Sequence, residues 1–552
     1  MKCENPKKIT TRETARRWRL QGARSVVVVI AVSLGFVGCN YRKTTDIPPP
    51  VSIPSAYDVG GEYKSQANRL EATADEEVRS PNASGQRSPD SAVDRVPGAG
   101  TRAATPLPGS RLWSPQGDTR WWRDFDDPAL DSLIQEALTR NQAFQAGLAR
   151  VRQSRYVALQ IRAARFPQIS AAGDFNVGES LNPVLGDIRS TEVTGSAPVS
   201  YEVDTFARRA REYQAGRFDA EAVALDQDAM AISLSAEVAE AWFDAINARI
   251  EIAVFRSQLE TDRKYLELVE ARYREGLNSA VDVHQQRQRV AGSRASLALA
   301  EREIDLTDQR LSAVIGEPPG RAFPLVDATL PSIGPTPDVE VPATLLSTRP
   351  DIRAARRRVE AADRRVAAAI GERLPQITLT ATPMYTRLNS RSSGGSFAPA
   401  EGDDASTPDE TARGFTWSAS ANVTLPLFDG FLGRSKVEEQ RAVVDELVES
   451  YAETILNALV EVESALVLER QERLRVEYLE DQVKLATVTL NATRDRYQSG
   501  LSDFLPVLTA LTTRQAAQLE LVSSRRLLVS YRVQLYRALG GSWPEEFRRV
   551  PE

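Results

Sequence analysis

The chain has 552 residues, and its 69 Lys and Arg stand against 75 Asp and Glu, a formal net charge of -6 that argues against a nucleic-acid-binding protein. With only 3 Met, 2 Cys and 1 His, a structural zinc site or a disulfide framework lacks the ligands it needs. A charged fraction of 26% with unremarkable Gly and Pro content predicts that most of the chain is ordered, and composition alone leaves catalysis by Asp, Glu, Lys or Ser open.

In chain order, Arg12, Arg16, Arg17, Arg19 and Arg24 precede an apolar run from Ser25 to Gly38, and Cys39 follows at once. A basic start and a short apolar stretch ending in small residues read as an export signal over 1–38. The run falls short of the roughly 20 residues that span a bilayer. Its end, Phe36-Val37-Gly38-Cys39, resembles a lipoprotein processing site, so cleavage before Cys39 and acylation of its sulfur are predicted. Residues 39–110 are rich in Pro, Ser, Asp, Gly and Arg with few aromatics. Such a stretch buries too little apolar surface to offset its ordering entropy, and reads as a disordered, lipid-anchored tether.

The folded body begins with a helix predicted over 128–164, capped by Asp127 with Pro128 at its first position. Two alternating strands follow, Gln168 to Val177 and Val193 to Val203. A long helix over about 207–274 comes next, carrying Leu234, Val238, Ala241, Ala245, Ala248, Ile252, Phe255 and Leu259 at alternating steps of four and three, which is coiled-coil spacing. A turn at Gly276 leads to a shorter helix over 280–315, and the Pro-rich stretch 317–341 contains a linker at 326–341.

The whole plan then repeats. Arg165-Phe166-Pro167-Gln168-Ile169 returns as Arg373-Leu374-Pro375-Gln376-Ile377, Tyr273-Arg274-Glu275-Gly276-Leu277 as Tyr497-Gln498-Ser499-Gly500-Leu501, and Leu311 to Gly316 as Leu535 to Gly540. The last two pairs share one offset and the first a smaller one, which predicts a longer loop between the strands of the second copy. That copy opens at Arg349-Pro350-Asp351 and alternates at Ile377, Leu379, Ala381 and Tyr385, then at Phe415, Trp417, Ala419, Ala421, Val423, Leu425 and Leu427. It continues through helices over about 434–498 and 504–539. The body thus divides into a first repeat at 111–325, the linker, a second repeat at 342–544 and a tail at 545–552.

The expected class is α+β with an internal duplication: long antiparallel helices plus four strands per chain, apolar on one face and polar on the other. Strands of about ten residues with such faces suit a lipid-facing, water-lined barrel. Four strands cannot close one, since membrane barrels begin at about eight. If the strands enter a membrane, open edges in lipid cost several kcal/mol per unpaired group, so several copies, two, three or more, must combine; the same alternation also suits a soluble sheet with one face on a core.

The chain resembles the TolC-like outer-membrane efflux proteins, in their lipoprotein branch, over about 112–543. The resemblance rests on Trp121-Trp122-Arg123-Asp124-Phe125, on Asp127-Pro128-Ala129-Leu130, and above all on Thr348-Arg349-Pro350-Asp351-Ile352-Arg353-Ala354-Ala355. Tyr201 to Phe206 and Leu425 to Gly430 resemble the family's strand-to-helix junctions, with Tyr201 in place of the usual Trp and Phe431-Leu432 in place of a second Gly and its neighbour. The resemblance implies a homotrimer with a 12-stranded barrel and an α-helical tunnel. It implies a lipid-anchored outer-membrane location reaching into the periplasm. It also implies docking to a periplasmic adaptor (membrane fusion) protein and a pump of the inner membrane, typically proton-driven. No enzymatic activity and no cofactor are implied. Tyr273, Gly276, Leu277, Tyr497, Gly500 and Leu501 would form the periplasmic tips that dock the adaptor. The tunnel would close just after the tips. The acidic places that relatives use there correspond to Pro506 and Thr509, which leaves Asp282, Asp503, Phe504, Leu505 and Leu508 as the expected gate. An apolar closure gating by water exclusion is therefore predicted, with the two acids giving modest cation preference.

Two rivals from other classes are weaker. A secreted coiled-coil structural or adhesive protein explains the helices and the signal, but not strand pairs recurring at matching places. An exported enzyme needs a convergent polar site. His284 stands without partners in sequence, and the arginines from Arg353 to Arg365 read as a solvated helix face paired with acids of neighbouring helices.

Overall fold

A computed structural model of the chain describes residues 120–182, 186–323, 325, 329–337, 344–392 and 410–541. The expected signal segment, Cys39, the tether at 39–110, the tail at 545–552 and parts of the linker at 326–341 lie outside the described residues.

A 3-10 turn at Trp121–Phe125 precedes α1 (Pro128–Arg140), α2 (Gln142–Ala163), β1 (Gln168–Ile169), β2 (Ala172–Asn182), β3 (Gly186–Ser196) and β4 (Val199–Val203). Then come α3 (Arg208–Arg274), α4 (Ala280–Ile315), α5 (Leu345–Thr348), α6 (Pro350–Glu372), β5 (Gln376–Ser392), β6 (Glu410–Thr424), α7 (Leu432–Gln498) and α8 (Phe504–Ala538). Helices α3 and α7 have 67 residues each, about 100 Å at 1.5 Å per residue. In the repeat register that matches Tyr273 to Tyr497, Arg208 corresponds to Leu432 and Arg274 to Gln498, so the two helices begin and end together.

The short helices fill the spaces beside the long ones. Helices α2 and α4 both lie along α3, while α6 and α8 both lie between α3 and α7. Each long helix is thus matched by two shorter ones end to end, as their lengths predict. One expectation is corrected: the opening helix is not continuous over 128–164. Asn141 breaks it with an extended backbone and caps α2, its side chain accepting from the Phe144 N–H at 3.0 Å while its amide donates to the Val314 carbonyl at 2.8 Å. A short polar side chain that can serve the backbone itself favours a cap over a helix interior.

The six strand segments form four continuous strands. β1 and β2 meet β4 and β3 in one unbroken register (Gln168 opposite Ser200, Ala172 opposite Ser196), and β3 and β4 likewise share one register along β5. Both interruptions fall beside Pro198, which has no N–H to give a ladder, and Pro383 stands next to them on β5. There the Ser170 N–H donates to the Pro198 carbonyl at 3.1 Å and the Ala197 N–H to the Pro383 carbonyl at 3.0 Å. β6 completes the antiparallel sheet on the far side of β5 and ends at Thr424, short of Pro426. The second hairpin is the longer one, running from Gln376 to Thr424 where the first runs from Gln168 to Val203.

The largest core lies where the repeats meet. Trp121, Phe125, Phe243 and Tyr536 pack edge to face or tilted, with Trp121 and Tyr536 centroids 5.5 Å apart. The polar ends of these rings are all engaged: Trp121 Nε1 with Ser235 Oγ at 3.2 Å, Trp242 Nε1 with Asp127 Oδ2 at 2.6 Å, and the Tyr536 hydroxyl with Asp124 at 2.7 Å. Beside it the inter-repeat linker is stapled to α7 and α8. Arg532 donates to the Gly334 and Pro335 carbonyls at 3.0 and 3.1 Å and pairs with the fully buried Glu469 at 2.6 Å, which also accepts from Thr336 at 3.0 Å. Burial alone would raise the Glu469 carboxyl, but its bonds to Arg532, Arg473 and Thr336 hold it below the ordinary range.

Candidate functional site: gate and docking tips

Each long helix ends in the same closure. The Leu277 N–H reaches back to the Arg272 carbonyl at 2.9 Å and the Gly276 N–H to Tyr273 at 3.0 Å; Leu501 to Arg496 and Gly500 to Tyr497 repeat those bonds at 2.9 and 3.0 Å. This six-to-one and five-to-two pattern is a Schellman closure, with glycine in the left-handed conformation at φ 75° in both tips. A Cβ at either glycine would meet nothing within 4 Å, so glycine is required by backbone conformation and not by crowding.

The two tips differ in what surrounds them. Tyr497 is 2% exposed, its ring 5.5 Å from Phe504 and under the Arg272 guanidinium at 4.5 Å, its hydroxyl bonded to the Asn278 side chain at 2.7 Å. Burial pushes the Tyr497 hydroxyl pKa up, against the opposing pull of Asn278 and Arg272. Tyr273, its counterpart in the first copy, is 48% exposed, as are Leu277 and Leu501 to a greater degree. The second tip is therefore clasped by the first, and the first tip presents the matching tyrosine to the outside.

Among the expected gate residues, Phe504 is buried inside the chain with Val269, Val283, Leu490 and Leu511, which commits its ring to joining the tips. Leu508 packs at the edge of that cluster, whereas Leu505 is 61% exposed. Asp282 belongs to a capping box: its carboxylate accepts from the Ser279 N–H at 3.0 Å while Ser279 Oγ accepts from the Asp282 N–H at 3.2 Å. Asp503 is an exposed N-cap of α8 with no side-chain capping bond. Val281 was not picked out from the sequence, yet it occupies the place of Leu505 in the repeat register and is 60% exposed. The repeat register is the signal that could have found it.

Further along the same helices lies a polar knot that sequence reasoning also missed. Asp262 of α3 is fully buried and accepts from Arg289 Nε at 3.1 Å, from Gln515 Nε2 at 3.2 Å and from Ser293 Oγ. Arg289 goes on to Thr512 Oγ1 at 2.7 Å and to Gln515, Gln286 donates to the Asp262 carbonyl at 2.8 Å, and Gln258 donates to the Gln515 carbonyl at 3.2 Å. These residues stand on α3, α4 and α8, so the knot ties the first-copy helix pair to the return helix of the second. Its signal was present: Asp262 is the next step of three after Leu259 along the apolar stripe, a charge where the seam requires a core residue. The expected basic face of α6 pairs as its charge pattern predicts, Arg356 with Glu360 at 3.2 Å, Arg357 with Glu221 at 3.1 Å, and Arg358 and Arg365 with Asp226 and Asp219.

Comparison with known proteins follows the same outline. The family described as Outer membrane efflux protein matches residues 133–317 and 341–541. The Pyoverdine export outer membrane protein OpmQ of Pseudomonas aeruginosa is 30% identical over 446 residues, covering 77% of this chain and 88% of that protein. The Probable outer membrane lipoprotein SilC of Salmonella typhimurium is 27% identical over 440 residues, covering 78% and 89%. Among solved structures, the outer membrane protein VceC from Vibrio cholerae matches with a TM-score of 0.67 at 25% identity, over 77% of this chain and 99% of that one.

Proposed function

The chain belongs to the outer membrane efflux protein family, and on that basis we propose that it is the outer-membrane channel of a tripartite efflux system, a passive conduit for small molecules that works as a homotrimer. In this reading four strands per chain close a 12-stranded barrel, α3 and α7 with their shorter partners form the tunnel wall, and the tips around Gly276 and Gly500 meet a periplasmic adaptor backed by a proton-driven inner-membrane pump. Cys39 anchors the chain to the outer membrane. Mass spectrometry of the purified protein should find Cys39 N-terminal and diacylated; a chain retaining 1–38 sinks that assignment.

The observation that carries the reading is the mismatch between equivalent faces. Val467 on α7 is 40% exposed, whereas its counterpart Phe243 on α3 is 0% exposed. Leu456 and Val460 are exposed too, and their counterparts Ile232 and Ala236 are buried. The face that α3 covers with helices of its own chain is left open on α7, and β6, which pairs only with β5 among the described strands, ends the sheet at an unpaired edge. A second copy, joined in the way the two repeats are joined, covers both.

The same logic locates one inter-chain contact. Tyr497 sits in a clasp of Arg272 and Asn278, so Tyr273 should sit in a clasp of the corresponding residues Arg496 and Ser502 of a neighbouring copy. A chain carrying Tyr273→Cys and Ser502→Cys should yield disulfide-linked dimers and trimers on non-reducing gels. The pair Asn278→Cys and Tyr497→Cys should link only within one chain. Absence of inter-chain products where the second pair does react, or a detergent-stable monomer keeping its full strand content, would rule the trimer out.

A further inference from the structure

The outward face of the sheet is apolar only up to a definite height. Rows across it run Val203–Ile377–Val423, then Tyr201–Leu379–Ala421, Val199–Ala381–Ala419, Pro383–Trp417 and Gly195–Tyr385–Phe415. The next row on that same face is Phe175–Val193–Arg387–Arg413, and two rows above it Arg189 stands opposite Arg391. Arg387 and Arg413 are both exposed, and among the described residues neither guanidinium has an ion-pair or hydrogen-bond partner. Arg189 is engaged by Glu179 at 3.1 Å and Arg391 also has a partner.

Two cations directly opposite on neighbouring strands lie about 5 Å apart at Cβ and repel each other. A bare guanidinium pair at such a place calls for an anion from outside the chain. Its height says which. From the Ile377–Val423 row to the Arg387–Arg413 row is ten residues, about 33 Å along the strand and about 25 Å upright at a tilt of about 40°, the height of the apolar band of a membrane barrel. Tyr385, Phe415 and Phe175 border the arginines, where an aromatic girdle marks the lipid–water boundary. This end of the strands is the one remote from the helices, hence the outer leaflet. Guanidinium groups bind phosphate through two parallel N–H···O bonds, and a multiply charged phosphate can bridge two of them.

We propose that Arg387 and Arg413 form a binding site for the phosphate groups of the outer-leaflet glycolipid, with Arg189 and Arg391 at its upper rim. The proposal rests on the membrane-inserted reading of the sheet given above. The test uses the full-length trimer in detergent, with a bisphosphorylated lipid A-type glycolipid, its dephosphorylated form, and inorganic phosphate as separate probes. The bisphosphorylated lipid should raise the melting temperature of the trimer by several degrees, and the other two should not. The variant Arg387→Gln/Arg413→Gln should lose most of that shift and of the copurifying lipid phosphorus. In lipid-free detergent it should melt no lower than the parent, because the repulsion is gone. Arg387→Lys/Arg413→Lys should recover part of the shift, since charge returns without the two-pronged geometry. The site is overturned if the Gln variant keeps the shift, if the dephosphorylated lipid works equally well, or if inorganic phosphate alone reproduces it. A parent protein missing from the outer-membrane fraction would instead refute the channel reading itself, a separate and earlier failure.

Discussion

Asp262→Ala is expected to loosen the tip half of the tunnel by about 3 kcal/mol and to leave the channel leaky. Asp262 is the only carboxylate in a knot that also holds Arg289, Ser293, Gln286 and Gln515. Removing one partner of a buried ion pair costs about 3–5 kcal/mol, because the other charge stays behind unpaired. Arg289 keeps 19% of its side chain exposed, so water can reach the stranded guanidinium and the lower figure applies. About 3 kcal/mol is roughly a hundredfold in an opening equilibrium. Since the knot spans α3, α4 and α8, that opening separates the first-copy helix pair from the return helix of the second copy. Faster amide exchange along α4 and α8, together with higher resting conductance in planar bilayers, is the expected result. Asp262→Asn keeps an acceptor for Ser293 and Gln515 and should have a smaller effect. Unchanged exchange and conductance in Asp262→Ala would mean that the knot sets helix register during assembly and does not restrain the tips.

Much of this was legible because it depends on local periodicity. Alternation at Phe415, Trp417, Ala419, Ala421 and Val423 marks a strand with one apolar face, and the strand is there. The steps of four and three from Leu234 to Leu259 mark a seam, and nearly all of those side chains are buried. Gly276 and Gly500 mark turns, and both adopt the left-handed backbone that closes the tips. What stayed hidden depends on which neighbour arrives. Tyr273 and Tyr497 sit in nearly the same local sequence, yet one is exposed and the other buried, because only the second tip finds Arg272 and Asn278 within its own chain. Asn141 looked like an ordinary position in a helix until its amide met the Val314 carbonyl. Phe504 looked like a pore residue from its place after the turn, but its ring is taken up by Tyr497 and Val269. Residues that join the two copies carry little local signature, because the partner lies hundreds of positions away.

Truncating the exposed apolar residues after the tips should open the channel, whereas changing the acid there should alter only which ions pass. The first ring is Leu505 together with Val281, its counterpart in the other copy, both largely uncovered. In the proposed trimer these would be six apolar side chains at one height. A narrow apolar ring closes a pore by excluding water, with no bond to break. Leu505→Ala and Val281→Ala, alone and combined, should raise resting conductance in planar bilayers, with the combination giving the largest rise. Leu508→Ala should add less, since that side chain is partly spent on the tip cluster. Phe504→Ala acts elsewhere: it removes a buried ring, a loss of about 3–5 kcal/mol, and should show first as faster amide exchange around Tyr497. Asp503 has an exposed carboxylate without a capping bond, so Asp503→Ala should lower cation preference and leave conductance near that of the parent. Asp282 is held by its capping box, and Asp282→Ala should cost about 1 kcal/mol in helix stability with little change in selectivity. If the apolar truncations leave conductance unchanged while Asp503→Ala or Asp282→Ala opens the pore, the closure is electrostatic and the water-excluding gate is wrong.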